Sequence, residues 1–193
     1  MRTLVSGRAF LGLIRHVIDV DGQEQLDRIV ESAGSDTQAI FERRISKLGW
    51  YPYVGFTRFL AAAEQELTRP GKSVCHELGS VAGKRDLGTV LKIYLAIASP
   101  ERLIRASKLV WPSYYRNAGR MEAVEWQPES TVLRIYDFPE MTRLHCQLME
   151  GWMIATMESL GLEVLPGARQ TAFMGDGARY HEFCCSWRLQ RTK

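Results

Sequence analysis

The sequence predicts an α+β fold: N-terminal helices packed on a four-stranded antiparallel sheet, with one strongly apolar helix inserted between the two strand pairs. Three observations predict it. Apolar residues recur at helical spacing from Leu4 to Val110. After Trp111-Pro112 the period drops to two, through Val124 and Trp126 and again through Leu133 and Ile135. The last third closes on a hairpin, Arg169 to Met174 and Ala178 to Leu189 about Gly175-Asp176-Gly177, with glycines where positive φ is expected. Its return strand sends His181, Phe183, Cys185, Trp187 and Leu189 to one face and Tyr180, Glu182, Cys184, Ser186 and Arg188 to the other, the split that a sheet buried on one side requires.

The elements follow in order. Leu4 to Val20 reads as a first helix on Phe10, Leu13, Ile14 and Val17, stopping near Asp21-Gly22. Gln23 to Ala33 is a second, ending at Gly34. Ser35 and Gln38 have the spacing of a capping box before a third helix on Ile40, Phe41, Ile45 and Leu48. Trp50 to Tyr53 is an aromatic turn, with Pro52 at the first position of a helix carrying Phe56, Phe59, Leu60, Ala63 and Leu67. Val74, Leu78 and Val81 make a weak helix and Leu87 to Ala98 a stronger one. Ser99-Pro100 then starts another with Leu103, Ile104 and Val110. Two strands precede the most apolar helix, Met141 to Leu160, which Pro139-Glu140 opens and Gly161 closes. Its apolar band is wide enough for contact on more than one side.

The 193 residues suit one domain, 1–193, and leave little room for two. Hydrophobic residues make up 46% and charged residues 24%, the profile of a globular chain. A net charge of +3 is too small for a phosphate-binding surface, so no nucleic-acid partner is expected. The apolar run Trp152 to Met157 falls far short of the roughly 20 residues a membrane span needs. Without a signal-peptide pattern at Met1 to Phe10, a cytoplasmic location is the default expectation. Cys75, Cys146, Cys184 and Cys185 lack paired C-x-x-C units and are read as free thiols.

Few groups carry chemistry. His145, Cys146, His181, Cys184 and Cys185 include zinc-ligand types, but adjacent strand residues face opposite ways and no pair has a standard ligand spacing, so no metal site is assigned. Cys75-His76 and His145-Cys146 are adjacent residues on helices and diverge by about 100°, so neither is a thiolate dyad, and no enzymatic activity is expected. Gly175-Asp176-Gly177 opens no helix and is no phosphate loop. Asp19 and Asp21 lack the later ligands of a calcium loop. Lys108, Arg116 and Arg120 surround Trp111, Tyr114 and Tyr115, an arrangement that binds nucleotides elsewhere but here is better read as solvated charge around core aromatics.

Several local features together resemble an uncharacterised bacterial paralogous family. These are Gly12-Leu13-Ile14, Tyr51-Pro52, the Gly79 to Gly88 stretch, Ser99-Pro100-Glu101-Arg102-Leu103, Tyr114-Tyr115, Glu150-Gly151 and Ser186-Trp187. That family looks like a relative of the fold shared by haem nitric-oxide-binding domains, 4-vinyl-reductase sensor domains and the small subunits of the TRAPP tethering complex. The resemblance implies a sensor-like module that dimerises or encloses a small apolar ligand between helices and sheet. It also marks departures: Leu87 to Val110 holds no histidine where the haem domains carry one, and Ser113-Tyr114-Tyr115-Arg116 does not keep their Tyr-x-Ser-x-Arg spacing. His181 stands where a zinc-binding relative would place a cysteine. No cofactor is therefore expected.

The functional expectation is a non-enzymatic sensor or interaction module, a homodimer, holding a small lipid-like or aromatic molecule. Its pocket would be walled by Trp111, Tyr114, Tyr115, Phe138, Leu148, Met149, Trp152 and Met153, since Met and aromatic surfaces adapt to varied guests. The same residues also read as plain core. A protein partner is the remaining alternative if no ligand binds, and a haem- or metal-dependent gas sensor or enzyme is the reading from another class.

Overall fold

Two antiparallel sheets, rather than one, organise the chain. The structure is a computed structural model and describes residues 2–69, 71, 73–89, 107–166 and 168–189. The smaller sheet joins β1 (Leu4–Ser6), β2 (Trp50–Pro52) and β3 (Tyr115–Arg116) in the order β2-β1-β3. The larger joins β4 (Arg120–Gln127), β5 (Ser130–Tyr136), β6 (Leu162–Val164), β7 (Arg169–Ala172) and β8 (Tyr180–Leu189), five strands where four were expected. The α+β class holds. Strands of two or three residues are too short to show a period in sequence, which is why the small sheet was invisible there.

Seven helices are described: α1 (Gly7–Asp21), α2 (Gln23–Ser32), α3 (Ser35–Glu42), α4 (Tyr53–Glu66), α5 (Val74–Thr89), α6 (Ser107–Tyr114) and α7 (Arg143–Ser159). α1 starts three residues later than Leu4, because Leu4–Ser6 is committed to β1 and the Ser6 hydroxyl caps the helix by accepting from the Arg8 N–H. At α3 the expected capping box does not form. Gly34 holds the cap position with φ 80°, and Ser35 is already inside the helix. α3 also stops at Glu42, leaving Leu48 80% exposed rather than on an apolar stripe.

Trp50–Pro52 is a strand, not a turn, and Tyr53 opens α4. α5 is one continuous helix from Val74 to Thr89 where a weak helix and a second start were expected. The expected helices at Leu87–Ala98 and Ser99–Val110 fall mainly on residues 90–106, outside the described residues. α7 begins at Arg143 with the Thr142 hydroxyl accepting from the His145 N–H at 3.2 Å. In the final hairpin the turn is a short 3-10 segment, Met174–Asp176, and positive φ falls on Gly177 alone (92°), not on Gly175.

α5 and α7 cross at backbone contact. A Cβ on Gly79 would lie 1.9 Å from the Leu148 carbonyl oxygen, and one on Gly151 would lie 2.0 Å from the His76 carbonyl oxygen. Glycine is what lets the two helices approach so closely. This crossing sets α7 against the larger sheet and leaves its other side to α4 and α5, so α7 does make contact on more than one side. The core includes Phe10, Phe56, Phe59, Phe138, Phe183 and Trp187, all buried. On β8, His181, Phe183, Cys185 and Trp187 are buried and Tyr180, Glu182, Cys184, Ser186 and Arg188 are not, as the alternation predicts.

Candidate functional site

Two adjoining cavities lie between the helices and the start of the larger sheet. The first, about 50 Å³, is walled by Ala9 and Leu13 of α1, Phe56 of α4, Ala82 of α5, Val110, Trp111 and Tyr114 of α6, Tyr115, Met121, and Leu148, Met149 and Trp152 of α7. The second, about 40 Å³, is walled by Ser107, Val110, Met121, Thr131, Leu133, Trp152, Met153, Thr156, Met157 and Cys185. Val110, Met121 and Trp152 line both. Among the described residues no charged side chain lines either cavity.

Of the residues that the sequence proposes, Trp111, Tyr114, Tyr115, Leu148, Met149 and Trp152 meet at the first cavity and Met153 at the second. Phe138 lines neither. It is buried beneath them, its ring 4.9 Å from that of Tyr53 and 6.2 Å from that of His145. Sequence reasoning missed the contributions of α1, α4 and α5, because a small residue such as Ala9 or Ala82 on a helix face carries no signal of what it borders.

Beneath the first cavity sits a polar triad within the aromatic core. His145 is fully buried, with Nδ1 2.6 Å from the Tyr53 hydroxyl and Nε2 2.8 Å from the Tyr115 hydroxyl. Each imidazole nitrogen is thus paired with one tyrosine hydroxyl. Burial holds His145 down to a pKa of about 3, so the ring is neutral. The same burial, with Tyr115 adding to it, pushes the Tyr53 phenol well above its ordinary value. In sequence this set was visible only as His145, weighed there as a metal ligand and not as the centre of a tyrosine pair.

Two of the other three histidines, His16 and His181, have ring partners. His16 Nε2 lies 3.0 Å from Glu77, and His76 borders an outer groove with Ser73, Glu77, Ser80, Gln147 and Glu150. His181 Nε2 donates to the Phe138 carbonyl at 3.0 Å, and its Nδ1 faces the Met174 N–H at 3.4 Å. Burial pushes the Cys146 thiol up to about 12 and the Cys185 thiol up to about 11, so both are neutral and poor nucleophiles. Among the described residues no three His, Cys, Asp or Glu side chains gather as a metal site.

A haem would need an axial ligand, most often an imidazole or a thiolate. None of the four histidines lines either cavity, and Cys185, which borders the second, is a neutral thiol. Both cavities are also well below the roughly 300 to 1,000 Å³ of ordinary small-molecule pockets. The described residues do not fit a histidine- or thiolate-held haem.

No family model matches the chain, and no curated protein matches it significantly. Solved structures do. The Fe(II) unliganded H-NOX protein of K. algicida superposes with a TM-score of 0.67 at 15% identity, covering 100% of this chain and 100% of that one. The H-NOX protein of S. oneidensis in its Fe(II)NO ligation state gives 0.72 at 13% identity over 95% of this chain and 99% of that one. A mutant H-NOX domain from Shewanella oneidensis in the Fe(II)CO ligation state, solved by NMR, gives 0.71 at 14% identity over 100% of both. Of the three relatives that the sequence resemblance named, these support the haem nitric-oxide-binding one and lend nothing to the 4-vinyl-reductase or TRAPP branches. At this level of identity the likeness speaks for architecture alone: the fold of this chain is the H-NOX fold.

Proposed function

We propose that this chain is a non-catalytic sensor of a small neutral ligand, of the size of a gas molecule, built on the H-NOX fold. The observation that carries the reading is the first cavity: apolar, without a charged side chain among its described lining residues, and about 50 Å³, against the roughly 10 to 15 Å³ that one water occupies. Such a space takes a guest of a few heavy atoms. A lipid-like molecule, the first expectation from sequence, enters only if the walls move. The fold neighbours, described in Fe(II)NO and Fe(II)CO states, likewise favour gas sensing over a general apolar-ligand or interaction module. A haem-dependent gas sensor is the second reading, favoured by those neighbours. It requires an iron ligand other than the described imidazoles and thiols.

One preparation tests both. Expressed with haem supplied, the protein is expected to show no Soret band. Under xenon pressure, methyl signals of Met121 and Met149 should shift saturably, and Ala82→Ile, which fills the first cavity, should abolish the shift. A Soret band at one haem per chain would move the assignment to the second reading. Homodimerisation belongs to the same proposal and predicts twice the 22.0 kDa chain mass by light scattering, with a strict monomer at high concentration removing it.

A further inference from the structure

The turn between α3 and β2 keeps an apolar side chain in solvent amid positive charge. Leu48 is 80% exposed, more than any other large apolar residue among the described ones. Its backbone is nonetheless fixed. The Ser46 N–H donates to the Tyr51 hydroxyl at 2.6 Å, the Gly49 N–H to the Ser46 carbonyl at 2.9 Å and the Gly7 N–H to the Gly49 carbonyl at 2.9 Å. The turn also lies so close on the start of α1 that a Cβ on Gly7 would be 2.0 Å from the Ser46 carbonyl oxygen. Arg43, Arg44 and Lys47 precede Leu48, and all three are exposed. Among the described residues none of the three takes an ion-pair partner. The whole chain has a net charge of +3, and residues 43–48 carry that much by themselves. From Arg43 to Ala63 the sequence holds no Asp or Glu to offset it, and Glu42 is the nearest acid along the chain. Two residues beyond Leu48, the half-buried Trp50 has the Arg116 guanidinium 3.9 Å from its ring centroid.

A lone exposed leucine needs no explanation on a protein surface. Leucine among unpaired cations, on a bonded turn with a tryptophan beside it, has the composition of an interfacial anchor: an apolar group for the acyl boundary, Lys and Arg for headgroup phosphates, and an indole for the level between. An acidic protein partner fits less well. A stable protein interface buries about 800 Å² on each side, and the apolar contact offered here is one side chain. A headgroup layer sets no such demand for area or shape. We propose that residues 43–48 are a docking site for an anionic lipid surface, with Leu48 entering the acyl boundary while Arg43, Arg44 and Lys47 meet the headgroup phosphates. A contact of this size is weak and reversible. None of these residues lines either cavity, so the site is separate from the one on which the sensor reading rests.

Co-sedimentation of the full chain with vesicles tests it, comparing phosphatidylcholine alone with phosphatidylcholine carrying about one-third phosphatidylserine. Binding is expected to the mixed vesicles only, and to weaken as salt rises, because exposed charges are screened. Leu48→Ala should weaken it about tenfold, while Leu48→Met, which keeps the apolar body, should bind as the parent does. Arg43→Gln combined with Lys47→Gln should cost about 25-fold, roughly fivefold for each basic residue. All three positions are exposed, so the near-ultraviolet circular dichroism of these variants should match the parent's. Equal binding by Leu48→Ala and the parent would overturn the proposal, since the contact would then be by charge alone. So would equal binding to both kinds of vesicle, or no binding to the mixed vesicles at about 0.05 M salt. Capture by heparin as tight as by the mixed vesicles, and unchanged in Leu48→Ala, would overturn it too and make the turn a site for soluble polyanions.

Discussion

At the residue scale the informative group is His145, whose two nitrogens are both satisfied by tyrosine hydroxyls in a dry aromatic shell. Its folded pKa of about 3 lies below the ordinary 6.5. In that window the unfolded chain binds a proton that the folded chain refuses, so stability is full above about 6.5 and is lost as pH falls toward 3. The slope from this one group is up to about 1.4 kcal/mol per pH unit. His181, also held down by burial, acts with the same sign. His145→Gln is therefore expected to be less stable near neutrality but to lose less on acidification. Urea unfolding from about pH 7 to about pH 4.5 would show converging curves, and parallel curves would mean that His145 is not the acid-sensitive group. None of this was legible in sequence, because what silences the imidazole is Tyr53 and Tyr115, residues 92 and 30 positions away along the chain.

At the scale of elements, the α5/α7 crossing and the sheet tell opposite stories about legibility. The strands β4, β5 and β8 were readable because each is long enough to alternate, and β8 shows the predicted buried face along Phe183, Cys185 and Trp187. The crossing was not, although Gly79 and Gly83 stand four apart on α5, the spacing that sets two small residues on one helix face. Gly79→Ala is expected to destabilise. The gain of about 1 kcal/mol in helix propensity is outweighed by a methyl 1.9 Å from a backbone oxygen that moves only if α7 moves, and overpacking of this kind costs about 1 to 3 kcal/mol or more. Gly12→Ala on α1 is the control, since among the described residues its Cβ would meet only Arg85 at 3.5 Å, an ordinary contact. It should stabilise by up to about 1 kcal/mol. Thermal unfolding of the two variants should therefore shift in opposite directions, and a stabilised Gly79→Ala would show that the helices have slack.

At the scale of the whole molecule, class and helix-then-strand order were legible, while the small sheet and the cavities were not, because both are made by chain segments that meet from far apart. β1 pairs Leu4 with Arg116 across the N-terminal helices, and the first cavity draws on α1, α4, α5, α6 and α7. The same principle governs how the molecule comes into being. β8 bonds β5 along one edge and β6 and β7 along the other, so the last-made strand of the larger sheet is its central one. During synthesis β5 has no β8 to pair with, and β6 and β7 have no sheet at all, until residues 180–189 emerge. Pairings of such long range form late. The helical two-thirds must wait on the ribosome with the sheet side of α7 uncovered, which is where an exposed apolar face recruits chaperones or aggregates. Ribosome-arrested chains stopped before Tyr180 are expected to be open to protease and to close only when the arrest point lies beyond Leu189 by the length of the exit tunnel; protection already at the shorter length would mean that the helices fold without their sheet.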